Sequence, residues 1–229
     1  VRLTTWNLTF NKAIFQKSLK IGIPSGIQNT IVSVGMMALF GIVNTFGATT
    51  AAAYSVALRI DSLASLPAMN FSAALSTFVG QNIGANKIDR VKKGLVSTLL
   101  MTSTIVIIVM IAVIAFNQQL MSLFTNDAEV ISIGAEYLII ISSFYLLFST
   151  MFIFTGVMRG AGDTLMPMFF TLFALWFVRI PVALFLSKSI GVTGIWWATP
   201  TGWFFGMATS IIYYFTGRWK NKSVVKHTK

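Results

Sequence analysis

Long uncharged runs alternate with short polar breaks along this chain, and the breaks mark out segments of membrane length. Ile21 to Leu58 carries no charged residue. A helix crossing the hydrocarbon of a bilayer needs about 20 apolar residues. That run is therefore too long for one span, and Gly47-Ala48-Thr49-Thr50 supplies a turn that splits it. The pattern predicts helices near 21–46 and 50–79, then a polar loop from Gln81 to Lys87. A third helix is expected near 92–116, a mixed segment with a short interfacial helix from Gln118 to Asp127, and a fourth helix near 129–157. After a tight loop at Arg159-Gly160-Ala161-Gly162-Asp163, helices follow near 164–187 and 191–217. The expected fold is all-α: a polytopic membrane protein whose residues 21–217 form a bundle of six transmembrane helices. Residues 1–20 are a basic lead-in and 218–229 a basic tail.

Two of these helices are not plain lipid-facing spans. At about 100° per residue, Ser25, Gln28, Asn29, Ser33, Met36 and Asn44 share one side of the first helix. Ile27, Ile31, Val34, Ala38 and Ile42 lie opposite. Amides in hydrocarbon are costly unless they face protein or water, so this arc looks onto a cavity or hydrogen-bonds to another helix. The second helix carries Ala64, Ala68, Ser72, Ser76, Gly80 and Gly84 at four-residue spacing, a small-residue seam suited to close packing. Pro67 within it removes one backbone hydrogen bond and is expected to bend it.

Composition narrows the class. The chain is 55% hydrophobic and 10% charged, against about 25% charged in soluble domains, so neither a soluble domain nor a disordered chain fits. The absence of Cys excludes disulfide scaffolds, zinc–thiolate sites and Cys nucleophiles. His227 in the tail is the one His, the acids form no paired motif, and no phosphate loop or dinucleotide fingerprint occurs. No enzyme, cofactor or metal site is expected. No repeated filter loop or ring of charge marks a channel.

The net charge of +11 raises a nucleic-acid reading, but the basic residues fall in short clusters between apolar runs. On the six-span reading, fourteen lie on one side: Arg2, Lys12, Lys17 and Lys20, then Lys87, Arg90, Lys92 and Lys93, then Arg159, then Arg218, Lys220, Lys222, Lys226 and Lys229. Lys188 alone lies on the other. This asymmetry predicts a multi-pass cell-membrane protein with both ends of the segment cytoplasmic and no nucleic-acid partner. Residues 8–20 mix Phe and Leu with Lys; they read either as a surface helix on the cytoplasmic leaflet or as an orienting lead-in.

Arg59, Asp61, Glu136 and Arg179 are the charges well inside the spans. Counted at 1.5 Å per residue, all lie roughly 10–17 Å deep. Arg59 and Asp61 are two apart and point to different sides of their helix. Cross-helix partners are therefore expected, with Glu136 bridging to Arg59 or Arg179. The readings are a structural lock between helices, an acid (Asp61 or Glu136) that titrates during transport, or arginines that snorkel to the interface.

A set of motifs then carries a resemblance. Gly22-Ile23-Pro24-Ser25 opens the first span. Ala52-Ala53-Tyr54 to Arg59 leads through Leu66-Pro67 to Ala74-Leu75-Ser76-Thr77-Phe78-Val79-Gly80-Gln81-Asn82-Ile83-Gly84-Ala85. Gly156-Val157-Met158-Arg159-Gly160-Ala161-Gly162-Asp163-Thr164 follows the fourth span. Arg179-Ile180-Pro181 and Gly194-Ile195-Trp196-Trp197-Ala198 mark the last two. In this order and spacing the set resembles the C-terminal six-helix lobe of a multidrug and toxic compound extrusion (MATE) transporter, over about residues 20 to 217. The resemblance implies a twelve-helix antiporter of two lobes, exporting organic, often cationic and aromatic compounds against H⁺ or Na⁺. This chain would be the second half. The first six-helix lobe would be its missing partner, in agreement with a start at Val1 rather than Met.

One branch of the family carries coupling acids whose positions fall at about Val32 and Phe148; neither is acidic here. The sequence then looks closer to the branch whose coupling Asp lies in the missing lobe, and H⁺ and Na⁺ both stay open. With the resemblance, the polar arc makes Gln28, Asn29, Ser33 and Met36, with Tyr145 and Met151 on the fourth helix, the expected substrate-binding face between the lobes. A flippase for a lipid-linked saccharide is the alternative. It would need a more cationic cavity than Arg59 and Arg179 supply. A non-transporting scaffold subunit is a third reading, weakened by the polar arc.

Overall fold

Each uncharged run becomes helix in the computed structural model, which describes residue 10 and residues 12–221. Helices α1 (Lys12–Asn44), α2 (Ala48–Gly84) and α3 (Ile88–Ala115) are unbroken. The mixed segment holds the short α4 (Asn117–Ser122). Where one fourth helix is expected there are two, α5 (Ala128–Ser142) and α6 (Tyr145–Gly160), which meet at 51°. The fifth span is α7 (Leu165–Leu172), a π-helical turn (Phe173–Arg179) and α8 (Ile180–Ile190). Helix α9 (Val192–Thr216) and a 3₁₀ turn (Arg218–Asn221) complete the described residues, among which no strand occurs.

By length and composition α1 from Gly26, α2, α3 and Leu165–Ile190 are each able to cross a membrane, and the bent α5–α6 pair makes a fifth span. The sixth, α9, has 25 residues, enough for about 37 Å, and is rich in Trp, Tyr, Thr and Gly. Of the two readings of the lead-in, the separate surface helix falls away. From Lys12 the helix runs without a break into the first span, so residues 12–20 form no separate surface helix; residues 8, 9 and 11 lie outside the described residues, as do 222–229 of the tail.

The element ends follow local chemistry. Asp127 caps α5, its Oδ1 accepting from Glu129 N at 2.9 Å and Val130 N at 3.2 Å. Gly191, at φ 67°, is the single residue between α8 and α9, a left-handed conformation that favours glycine.

Packing centres on α2. Its small-residue seam lies against α6, where Ser72 Oγ donates to Phe152 O at 2.6 Å. A Cβ on Gly156 would stand 2.6 Å from Ser72 Oγ and 2.7 Å from Ser72 O, and one on Gly160 would collide with Ser76 O. The seam therefore brings two backbones together. On either side of it lie two apolar cores. One is built on Tyr54, Tyr137 and Trp196; the other packs Leu75, Val79, Ile153, Val157 and Met158 with Trp219. The Arg159–Asp163 loop is tied down beside the second core, where the Tyr213 hydroxyl donates to Asp163 Oδ2 at 2.6 Å. Helix α3 is the most apolar of the long spans and the least buried, so its outer face is a lipid face.

Gly156→Ala is expected to destabilise the bundle by about 1–3 kcal/mol, because the obstructing atoms include backbone. Gly41→Ala, which meets nothing within 4 Å, is expected to be neutral or slightly stabilising. Denaturant unfolding of both variants in detergent compares them directly.

Candidate functional site

Helices α1, α2, α6, α7, α9 and the π turn converge on a cavity of ≈ 290 Å³. Met36, Met151, Phe148, Phe152 and Trp203 give it soft and aromatic walls; Asp61, Arg179 and Thr171 supply its polar groups. The π turn presents Ala174, Leu175 and Arg179 to it, and α1 is fastened against that turn. A Cβ on Gly35 would come 2.5 Å from Leu175 Cδ2, so α1 approaches closely there. Trp176 Nε1 donates to Ile31 O at 3.3 Å, and Arg179 Nη1 rests on the Met36 sulfur at 3.5 Å. On the far wall a Cβ on Gly202 would be 3.1 Å from Arg179 Cβ, so the missing side chain makes room for the arginine stem.

The polar groups do not close on one another. Tyr145 and Arg179 flank Asp61, and Tyr54 and Tyr137 lie beyond them. Yet Asp61 Oδ1, Tyr145 OH and Arg179 Nε are all buried with no hydrogen-bond partner. Among the described residues the one ion pair is Lys92–Asp89, at 3.7 Å. Leaving a buried polar group unpaired costs about 1–3 kcal/mol, so three of them around one cavity call for a water, an ion or a ligand to pair with. Behind the cluster, Tyr54 stacks on Trp196 (5.3 Å between ring centroids) and Tyr137 meets both edge-on, at 5.5 and 5.0 Å. This aromatic wedge holds α2, α5 and α9 in fixed relation.

The residues singled out from the sequence separate into groups. Met36 and Met151 line the cavity, and Tyr145, 3% exposed, stands beside Asp61. Gln28 is buried and donates to Thr171 Oγ1 at 3.0 Å, so its amide ties α1 to α7 instead of facing the open side. Asn29 and Ser33 are exposed, and Ser33 Oγ donates to Asn29 O at 2.9 Å. Asp61 and Arg179 share the cavity, whereas Arg59 is exposed, one position away from the buried Ile60. The expected bridge from Glu136 to Arg59 or Arg179 does not form. Tyr137 is the residue of that turn that faces α2, so Glu136 points outward and accepts from Thr193 Oγ1 at 2.6 Å.

Val32 and Phe148, the positions at which one family branch would place its acids, both line this cavity. Its carboxylate comes instead from Asp61 on α2. Sequence reasoning missed Thr171, Gly202, Trp203 and the π turn. The charge of Arg179 inside an apolar run, two residues before Pro181, was the available signal; nothing in the periodicity marks the wider turn.

The MatE family model matches residues 24–185. The probable multidrug resistance protein YoeA of Bacillus subtilis is 32% identical over 222 residues, covering 96% of this chain and 48% of the relative. The probable multidrug resistance protein NorM of Thermotoga maritima is 28% identical, over 90% of this chain and 45% of the relative. Among solved structures, the outward-facing conformation of a multidrug resistance MATE family transporter superposes with a TM-score of 0.83 at 20% identity, covering 95% of this chain and 49% of the other. A MATE in the bent conformation superposes with 0.82, covering 95% and 48%. This chain spans about half the length of the curated relatives it matches.

Two expectations follow from the geometry. A double-mutant cycle of Gln28→Ala and Thr171→Val should give a coupling of about 1 kcal/mol. Tyr145→Phe, which removes a buried hydroxyl with no partner, should not destabilise the chain and should stabilise it by up to about 1–3 kcal/mol. Unfolding in detergent measures both; a large loss for Tyr145→Phe would mean that its hydroxyl is a structural tie.

Proposed function

The chain belongs to the MatE family, and from that premise we propose that it is the second half of a secondary exporter. It would work with a first six-helix lobe to expel small organic compounds against a cation gradient. The two lobes would rock to expose a central space alternately to each side of the membrane. The observation that carries the proposal is the cavity beside Asp61. Its Met36, Met151, Phe148, Phe152 and Trp203 walls suit flat aromatic cations. Thioethers adapt to ligands of varied shape, and aromatic faces attract positive charge.

Asp61 would be this half's contribution to coupling. It is the one carboxylate on the cavity; its Oδ1 is unpaired, so it can take a proton or a cation without first breaking an internal bond. Arg179 would hold the site near neutrality when no cation is present. One acid facing one base also favours an exporter over a flippase for pyrophosphate-linked lipids, whose pocket would need an excess of positive charge. The distribution of basic residues supports placing the 81–91 and 158–163 loops on the cytoplasmic side.

The test uses this chain together with its first lobe, reconstituted in vesicles with tetraphenylphosphonium as probe and either an H⁺ or a Na⁺ gradient imposed. Asp61→Asn is expected to fold and bind the probe but to lose gradient-driven export at least about tenfold. Export at the unaltered rate would remove Asp61 from the mechanism. No export by the unaltered protein under either gradient would count against the exporter itself.

A further inference from the structure

A second and larger cavity, ≈ 470 Å³, lies away from the first, on the outside of the bundle between α2 and α3. Its α3 wall reads Arg90, Lys93, Gly94, Ser97, Thr98 and Met101, steps of three and four that share one helix face. Along this face the chemistry changes in order. Two cations stand at the helix end, two hydroxyls about 10 Å further along, and a thioether about one turn beyond them. The opposing wall is apolar, with Phe71, Leu75 and Phe78 of α2. Phe78 packs against Gly94, where any side chain would collide with its ring.

The groove has unbalanced charge. Its lining holds no acidic side chain. Asp89, next to Arg90 in sequence, sits 3.7 Å from Lys92 instead, and Lys92 is not part of this lining. The helix that builds the groove is the most apolar and least buried long span, so the groove opens toward acyl chains. A ligand matching it must be anionic at one end, carry acceptors for hydroxyls next, and end in hydrocarbon.

We propose that this groove is a binding site for an anionic phospholipid. The phosphate sits on Arg90 and Lys93, the glycerol ester oxygens accept from Ser97 and Thr98, and an acyl chain lies along Phe71, Phe78 and Met101. A free phosphate would use only the first of these three zones, and a zwitterionic lipid would bring its own cation to Arg90 and Lys93.

Native mass spectrometry of the purified full chain in detergent tests this, with phosphatidylglycerol as probe. Phosphatidylethanolamine is the zwitterionic comparison and glycerol phosphate the chain-free one. The expected result is preferential retention of phosphatidylglycerol over both. In Arg90→Gln/Lys93→Gln its affinity should fall about 30-fold, each charge contributing about fivefold, with binding of phosphatidylethanolamine unchanged. Lys92→Gln should have little effect. Equal losses in Lys92→Gln would mean bulk surface charge and overturn the site, as would full retention in the double variant. Glycerol phosphate binding as tightly as the lipid would overturn the lipid assignment. If the double variant fails to purify, Arg90→Lys/Lys93→Gln and Ser97→Val/Thr98→Val read the same ratio with smaller expected losses. No loss in either would also overturn the site.

Discussion

A charge held within a bilayer has to find compensation inside the protein, and the arrangement of this lobe follows from where Asp61 and Arg179 are kept. They project from α2 and from the π turn into one cavity, close enough to feel each other but without an ion pair. That placement needs several supports. The Ser72–Gly156 approach sets α2 against α6. The Tyr54–Tyr137–Trp196 wedge fixes α2 against α5 and α9. Trp176, Leu175 and Arg179 itself hold the π turn against α1. A closed salt bridge here would be a lock; an open pair beside a cavity leaves both charges able to answer a ligand or an ion.

Much of this was legible in the sequence because bilayer physics writes large signals. Uncharged runs gave the helices, and four-residue spacing of small residues gave the α2 seam. The interruptions were harder. Ser142 and Ser143 both donate to Ile139 O, at 3.4 and 2.7 Å, and such back-bonding loosens a helix ladder where α5 gives way to α6. The two serines were visible, but serines also sit inside straight helices. The π turn, in an apolar run that Arg179 alone interrupts, left no periodic trace. At the site, a polar arc on α1 could not separate an amide lining a cavity from one tying helices together. Gln28 meets Thr171, 143 positions away, and a contact of that range lies outside any local pattern. Glu136 was misplaced because charge and depth were counted without the 100° that separates it from Tyr137.

The outer surface of the lobe is of two kinds. Helix α1 exposes Asn29, Thr30 and Ser33; the two hydroxyls bond back to Gly26 O and Asn29 O, which leaves the Asn29 amide as the group that lipid would penalise. Helix α3 exposes Leu100, Met101, Ile107, Ile108 and Ile111, which suit acyl chains. A chain about half as long as its curated relatives thus carries exposed polar side chains on α1, an exposed apolar face on α3 and, between helices, a charged cavity.

The central claim is that the Asp61 cavity is reached by water while the exposed apolar face of α3 is not. The chain has no cysteine, so single thiols report without background. Met151 is 8% exposed and Ile108 62%. In the purified chain embedded in lipid bilayers, the account predicts that Met151→Cys reacts with a small charged thiol reagent faster than Ile108→Cys, against the order of their exposure. Faster reaction at Ile108→Cys, with Met151→Cys protected, would contradict it.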